Sequence, residues 1–375
     1  MTEKTTSEKS FSLQNMSNLL IMIFLFIVGF HLASDFLIPL TYAVLLSMLM
    51  LPACKALERF GISRGLSSFL SICLIFIGIG LLVFMMSSQF LSISSDLPSL
   101  QKGFSERLDN LQTFIQQKTS LSPEKQILII KSKTETFLSS AGTYFTGIFF
   151  TTTSVLGNFF LIIIYIFFFL YYRQRIFVFI LRVMPGKSHE KTLKTLHEIT
   201  KVTTSYIVGL LIVISLLAAM NFIGFFLIGV PHALFFALLI ALLNTIPYIG
   251  VWIGSVFPVL YMLITRDSAG PVFAVIAVVA LNQFIEGNFL TPTIVGSRVK
   301  INAMSAIIAI ILGGILWGTS GMILFIPLLG ICKVIFDNVD KMSPYAYLIG
   351  DDFPDSKGIS VVKKMKDRIK AYFSK

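Results

Sequence analysis

The chain has 375 residues, of which 55 % are hydrophobic and only 13 % charged, and its mean hydropathy is +0.84. Soluble domains carry about 25 % charged residues, so an ordinary water-facing surface is excluded and the solvent of most of this chain is lipid. The formal net charge of +11 sits in the gaps between apolar runs, where basic residues retain loops on the cytoplasmic side, and not in an aromatic-interleaved patch that would bind nucleic acid.

A bilayer core about 30 Å thick needs about 20 apolar residues in helix. Taken in chain order, the apolar runs predict spans near 18–34, 36–54, 66–88, 146–171 and 204–229, followed by blocks near 232–265, 271–290 and 303–335. The first run is preceded by balanced charge (Glu3, Lys4, Glu8, Lys9) and followed at once by another, so it reads as a retained span. His31 and Asp35, four apart, read as an interfacial pair. Cys54, Cys73 and Cys332 form no CxxC pair and lie at no metal-ligand spacing, which makes them helix packers.

Short-loop Lys and Arg orient the spans. Lys55, Arg59 and Arg64 follow the second span, and Arg173, Arg175, Arg182, Lys187, Lys191, Lys194 and Lys201 follow the fourth. Both gaps are expected to be cytoplasmic, as are both termini, which leaves residues 89–145 outside. Within that segment Leu97, Leu100, Phe104, Leu108, Leu111 and Ile115 share one helical face, Asp96-Leu97-Pro98 resembles a helix start, and a second helix is expected from about Pro123 to Phe137. The organisation is then three spans in 1–88, an extracytoplasmic amphipathic segment in 89–145, a transport region in 146–335 and a cytoplasmic tail in 336–375. The tail ends in a basic helix candidate, Val361 to Tyr372, either near anionic headgroups or solvated.

Two of the late blocks are too long for one span. Residues 232–265 are interrupted by Pro247-Tyr248-Ile249-Gly250 and Gly254, and residues 303–335 by Gly313-Gly314, Gly318 and Gly321. Halves of roughly 15 residues reach about 22 Å, too short to cross. A pair of re-entrant hairpins fits these lengths, with a steeply tilted single span as the alternative. The hairpins also keep Arg298 and Lys300 cytoplasmic. Gly/Pro-broken segments in corresponding positions point to a transporter binding site.

Polar residues in the late blocks are few: Asn244, Asn282, Gln283, Glu286 and Asn288. Gln283 and Glu286, three apart, share a face, and an acid inside a membrane is a functional candidate by default. Deep in the bilayer, Glu286 would bind a cation or exchange a proton; at the interface it would cap a helix. Gly318-Thr319-Ser320-Gly321 matches the G-x-S-G of rhomboid-like proteases, but His31, His189, His197 and His232 all precede Ser320, which leaves the serine without a base. With no HExxH, P-loop or GxGxxG, the chain reads as no enzyme and needs no cofactor or metal.

The runs Asn244-Thr-Ile-Pro-Tyr-Ile-Gly250, Gln283-Phe-Ile-Glu286-Gly-Asn288, Thr291-Pro-Thr-Ile-Val-Gly296 and Gly313-Gly-Ile-Leu-Trp-Gly318-Thr-Ser-Gly321 through Pro327-Leu resemble the autoinducer-2 exporter family of bacterial transporters. Leu51-Pro52, Leu57-Glu58-Arg59 and Leu181 to Pro185 agree with it. The resemblance implies an all-α, eight-segment permease of the inner membrane that assembles into homo-oligomers. Some relatives export the signal autoinducer-2 and others exchange sodium or lithium for protons. Asn244, Pro247, Gly250, Gln283, Glu286, Pro292, Gly296, Gly318 and Pro327 carry the family pattern. Together with Tyr248, Asn282, Asn288 and Gly321, all but Pro327 make up the candidate site.

The expected function is export of a small polar solute. A sodium(lithium)/proton antiporter on the same scaffold, using Glu286, is the second expectation. A non-transporting assembly protein built on the outside helices is the third.

Overall fold

A computed structural model describes residues 13–118, 152–183, 189–247 and 249–351. Helices account for every long element, and the described residues hold no strand, only an isolated bridge between Ile301 and Gly350. The helices are α1 Leu13–Leu32, α2 Ser34–Arg59, α3 Arg64–Lys118, α4 Thr152–Tyr171, α5 Arg173–Val183, α6 His189–Ile228, α7 Ala233–Leu243, α8 Gly250–Thr265 and α9 Ala269–Ile285. A π-helix, π1, Glu286–Gly296, follows, then α10 Ser297–Val299, α11 Ala303–Asp337 and α12 Ser343–Ile349.

Helix α6 is the central column. Its buried residues Tyr206, Gly209, Val213, Leu217, Asn221 and Phe225 recur every three or four positions, the stripe of a helix packed along one side. Antiparallel to that stripe run α9, π1 and α10. The register is read from three contacts: Gly224 lies against Val278, the Asn221 and Asn282 amides meet, and Gly209 lies under the Ile294 carbonyl. A Cβ on Gly224 would stand 2.4 Å from Val278, so the glycine is what lets the two helices approach.

The over-long blocks fold back on themselves, which decides between hairpin and tilted span. Between α7 and α8 the chain turns through Asn244–Ile249, and a Cβ on Gly250 would fall 1.7 Å from the Leu243 carbonyl oxygen. Gly254 lies against Ile240, so the two arms run antiparallel in contact. At 11 and 16 residues they reach about 16 and 24 Å. Helix α11 reverses at Trp317 and Gly318, the latter at φ +60°. Gly313 and Gly321 press together there, a Cβ on Gly321 falling 1.9 Å from the Gly313 oxygen. Residues eight apart in a straight helix are about 12 Å apart, so α11 is a second hairpin of two arms, 303–316 and 319–337.

The hairpins meet α6 from opposite ends. The base of the first hairpin is at Gly229 and Val230, where α6 stops, and Arg266 donates to the Gly229 carbonyl at 2.9 Å. Its arms pack on Phe222, Phe225 and Ile228. In the second, Gly330 lies against Val202 and Val299, while Leu324 and Trp317 pack with Ile207 farther along α6. Both tips therefore point toward the middle of α6. The tip of the second is held by the α1–α2 turn: Trp317 donates to the Phe30 carbonyl at 3.1 Å and stacks on the Phe30 ring.

Three expectations need correction. The third span ends near residue 88 as expected, its apolar stretch being Arg64–Gln89, but no new helix starts at Asp96, because α3 continues beyond the span to 55 residues, about 82 Å. His31 does not reach Asp35; its Nδ1 lies 2.7 Å from the Leu316 carbonyl at the hairpin tip. Among the described residues five helical stretches are long and apolar enough by length and composition to cross a membrane, six if the α4–α5 pair, bent by 69°, counts as one; one of the five is α11, which folds back on itself. The expected eight also counted the shorter α1 and, as one block, the arms α7 and α8. The helices at 123–137 and 361–372 lie outside the described residues.

Surface apolarity fits a lipid solvent. Phe84, Phe226 and Leu227 are exposed on helices free of neighbouring charge.

Candidate functional site

A cavity of about 510 Å³ lies between α8 and α9 at the tip of the first hairpin. Asn244, Ser255 and Gln283 supply its polar groups, and Trp252, Val279 and Phe284 are among its apolar walls. The tip is built where it is because α7 runs out of apolar residues at Asn244, which caps it. Pro247 then accepts a backbone hydrogen bond from Ile249 at 2.8 Å, and Gly250 permits the return. Two amides 39 positions apart in sequence thereby face one space.

Gln283 connects this cavity to Glu286. Its Nε2 donates to Glu286 Oε2 at 3.0 Å. The other carboxylate oxygen accepts from the Thr291 hydroxyl. Glu286 is 8 % exposed and stands where the α-helical ladder becomes π-helical. Gln283, three residues back, reaches it in the α register; Thr291, five residues on, reaches it because the π register brings i and i+5 together. Pro292 lies inside π1 and has no N–H to donate, which suits the wider turn. Among the described residues no Lys, Arg or His forms an ion pair with Glu286, and no cluster of three His, Cys, Asp or Glu residues stands ready for a metal ion.

Asn282 is buried but faces away from the cavity lining. Its Nδ2 donates to Asn221 Oδ1 at 3.0 Å, and Asn221 donates in turn to the Leu217 carbonyl at 2.9 Å. Asn288 is exposed and bonds locally to the Phe284 carbonyl. Pro292 and Gly296 shape π1 and its exit without lining the cavity. Gly318 and Gly321 form the tip of the second hairpin, elsewhere on α6. Tyr248 lies outside the described residues. Asn221, Ser255 and Thr291 were missed. Asn221 had a signal, as a lone amide in the charge-free stretch 202–228.

Lipid-facing helices, two opposed broken hairpins and a polar pocket at one tip define a multi-pass membrane transporter. Residues 20–341 match the family described as AI-2E family transporter, and the chain belongs to that family. Named relatives agree on the class. "Putative transport protein YhhT" of Escherichia coli (strain K12) is 26 % identical over 88 % of this chain and 93 % of its own length. "Putative transport protein YueF" of Bacillus subtilis (strain 168) is 28 % identical over 43 % of each chain. "AI-2 transport protein TqsA" of Escherichia coli (strain K12) is 22 % identical over 88 % of this chain and 94 % of its own length.

Proposed function

We propose that this transporter is a secondary exporter of a small polar solute, with Asn244, Gln283 and Glu286 on the solute's path. The observation that carries the reading is the cavity at the first hairpin's tip, where two amides converge one hydrogen bond from a buried carboxylate. Level with it, α6 is within the charge-free stretch 202–228, at Asn221. Opposed hairpins whose tips approach mid-column suit alternating access, in which one tip yields while the other stays packed. An autoinducer-2-like solute is the first cargo to try, since TqsA is named for AI-2 transport. The reading keeps the basic gaps and both termini cytoplasmic in the inner membrane, with the chain assembled as a homo-oligomer.

Glu286 favours a second reading, sodium or lithium exchange for protons, because it is a buried acid without a basic partner among the described residues. Flux in proteoliposomes separates the two. Solute movement that a Glu286→Gln substitution weakens, without dye-reported proton movement on a sodium or lithium pulse, supports the exporter. Proton movement on the pulse, abolished by the same substitution, supports exchange. Silence in both refutes transport by this site.

A further inference from the structure

We infer that the cavity between α8 and α9 opens sideways to the lipid and takes a neutral amphiphile, with a hydrogen-bond-donating head and a short apolar body. This narrows the small polar solute of the transport site proposed above to one with an apolar side, in place of an autoinducer-2-like solute polar all round, and it rests on the reading of that cavity as the transport site.

The walls give the body. Val251, Val259, Ile276, Val279 and Ala280 surround the polar groups of Asn244, Ser255 and Gln283. A solute polar on every side would leave most of its groups unpaired against such walls, at a cost that apolar surface does not incur. The volume suits a small organic molecule.

The mouth gives the route. Trp252 is 77 % exposed and Phe284 59 %. Around them Ile249, Ile253, Val256, Phe273 and Ile276 are also exposed, and neither Gly250–Thr265 nor Ala269–Ile285 contains an Asp, Glu, Lys or Arg. A pocket that opens on a continuous uncharged surface of a membrane protein opens to acyl chains.

Gln283 gives the head. Its Nε2 is committed to Glu286, which fixes the amide orientation, because turning it over would set two oxygens against each other. The Oε1 that remains is buried and has no hydrogen-bond partner. An acceptor left so in the wall calls for a donor from the ligand. A hydroxyl or amide N–H fits that oxygen, whereas a carboxylate head would set oxygen against oxygen there.

The test uses the full chain in phospholipid nanodiscs and the indole of Trp252, isolated as the difference between the protein and its Trp252→Phe variant. The probes are a bromine-tipped decanol and the matching decanoate, since bromine quenches indole on contact. The alcohol should quench to saturation. Its half-saturation should weaken about fivefold in Gln283→Leu, the loss of about one hydrogen bond, and the saturable phase should vanish in Ala280→Phe, which fills the pocket. Quenching that rises linearly and survives Ala280→Phe would show Trp252 meeting bulk lipid only and would overturn the inference. So would equal saturation by the decanoate, or no quenching even by brominated phospholipid, which would mean that a second copy covers this face. Saturable binding without flux of any solute would leave the inference standing and remove the transport reading. Flux of a water-borne polar solute by protein that does not bind the alcohol would do the reverse.

Discussion

The side-chain amide of Asn282 donates to that of Asn221 at 3.0 Å, joining α9 to the central helix α6 at the level of the cavity. Both residues are buried, at 6 % and 1 % exposure. Replacing either by Leu strands the other amide in an apolar contact. Each single variant should lose about 1–2 kcal/mol of stability, and the double-mutant cycle should return a coupling of about 0.6–1.7 kcal/mol. Unfolding of the detergent-solubilised protein checks both, and zero coupling would mean the bond does not form.

The hairpin turns depend on glycine because backbone meets backbone. Gly250→Ala would set a Cβ 1.7 Å from the Leu243 oxygen, and Gly321→Ala one 1.9 Å from that of Gly313. Neither carbonyl can move aside as a side chain could, so each variant should lose about 3 kcal/mol or more, or fail to accumulate. Gly270→Ala meets open space near the start of α9 and should be neutral or stabilising by up to about 1 kcal/mol. Comparing yield and melting temperature of the three reads the contrast.

The fold of α11 has a direct chemical test. In a straight helix, residues 314 and 322 are about 12 Å apart and beyond disulfide reach. In the hairpin the Met322 side chain stands 2.8 Å from where a Gly314 Cβ would be. Gly314→Cys with Met322→Cys should cross-link under mild oxidation, seen as protection of that thiol pair from maleimide. Full labelling after oxidation would mean α11 is straight.

The Thr291 hydroxyl is the π-helical half of the grip on Glu286. Thr291→Val keeps the shape and removes the donor, leaving one buried carboxylate oxygen unpaired. Stability should fall by about 1–3 kcal/mol, and transport should fall with it, while Thr291→Ser should restore both. A Val variant as stable and active as the parent would show that the grip has no role.

Arg173, just past the end of α4, is paired with Glu58 on α2, both side chains about one-fifth exposed. Burial alone would lower the guanidinium's pKa, but the hydrogen bond and charge of Glu58 outweigh it and hold Arg173 above its ordinary range. Glu58→Gln should cost about 1–3 kcal/mol, less than for a fully buried pair. Arg173→Met combined with Glu58→Leu should cost less than either single change, because no charge is left unpaired. Thermal unfolding of the three variants decides it.

Much of the fold is legible in one dimension. The apolar runs marked where helices lie, and Pro247, Gly250 and the Gly313–Gly321 cluster marked where two of them break. Asn244 and Gln283, chosen as amides in apolar blocks, do share a cavity. Less legible was where a helix fails to break. The sequence Asp96-Leu97-Pro98 looks like a helix start because a proline's missing N–H costs least in a first turn, yet α3 runs straight through it. Asn282 and Asn288 were placed with Gln283 in the candidate site, but one bonds across to α6 and the other to the Phe284 carbonyl four residues back.

The sequence by itself determined that this protein lives in lipid, that its elements are helices, and that its late segments are broken. Those properties follow from local chemistry: the free energy of each side chain in hydrocarbon, and the backbone demands of Gly and Pro. Only the tertiary structure decided that the broken segments fold into hairpins approaching α6 from opposite ends. It also decided that Asn244 rather than Asn288 joins Gln283, and that Glu286 is gripped from both sides of an α-to-π junction. Those facts depend on register between helices distant in the chain. Register is set by where Gly209, Gly224, Gly313 and Gly321 let backbones approach, a property of pairs of surfaces that no single segment carries.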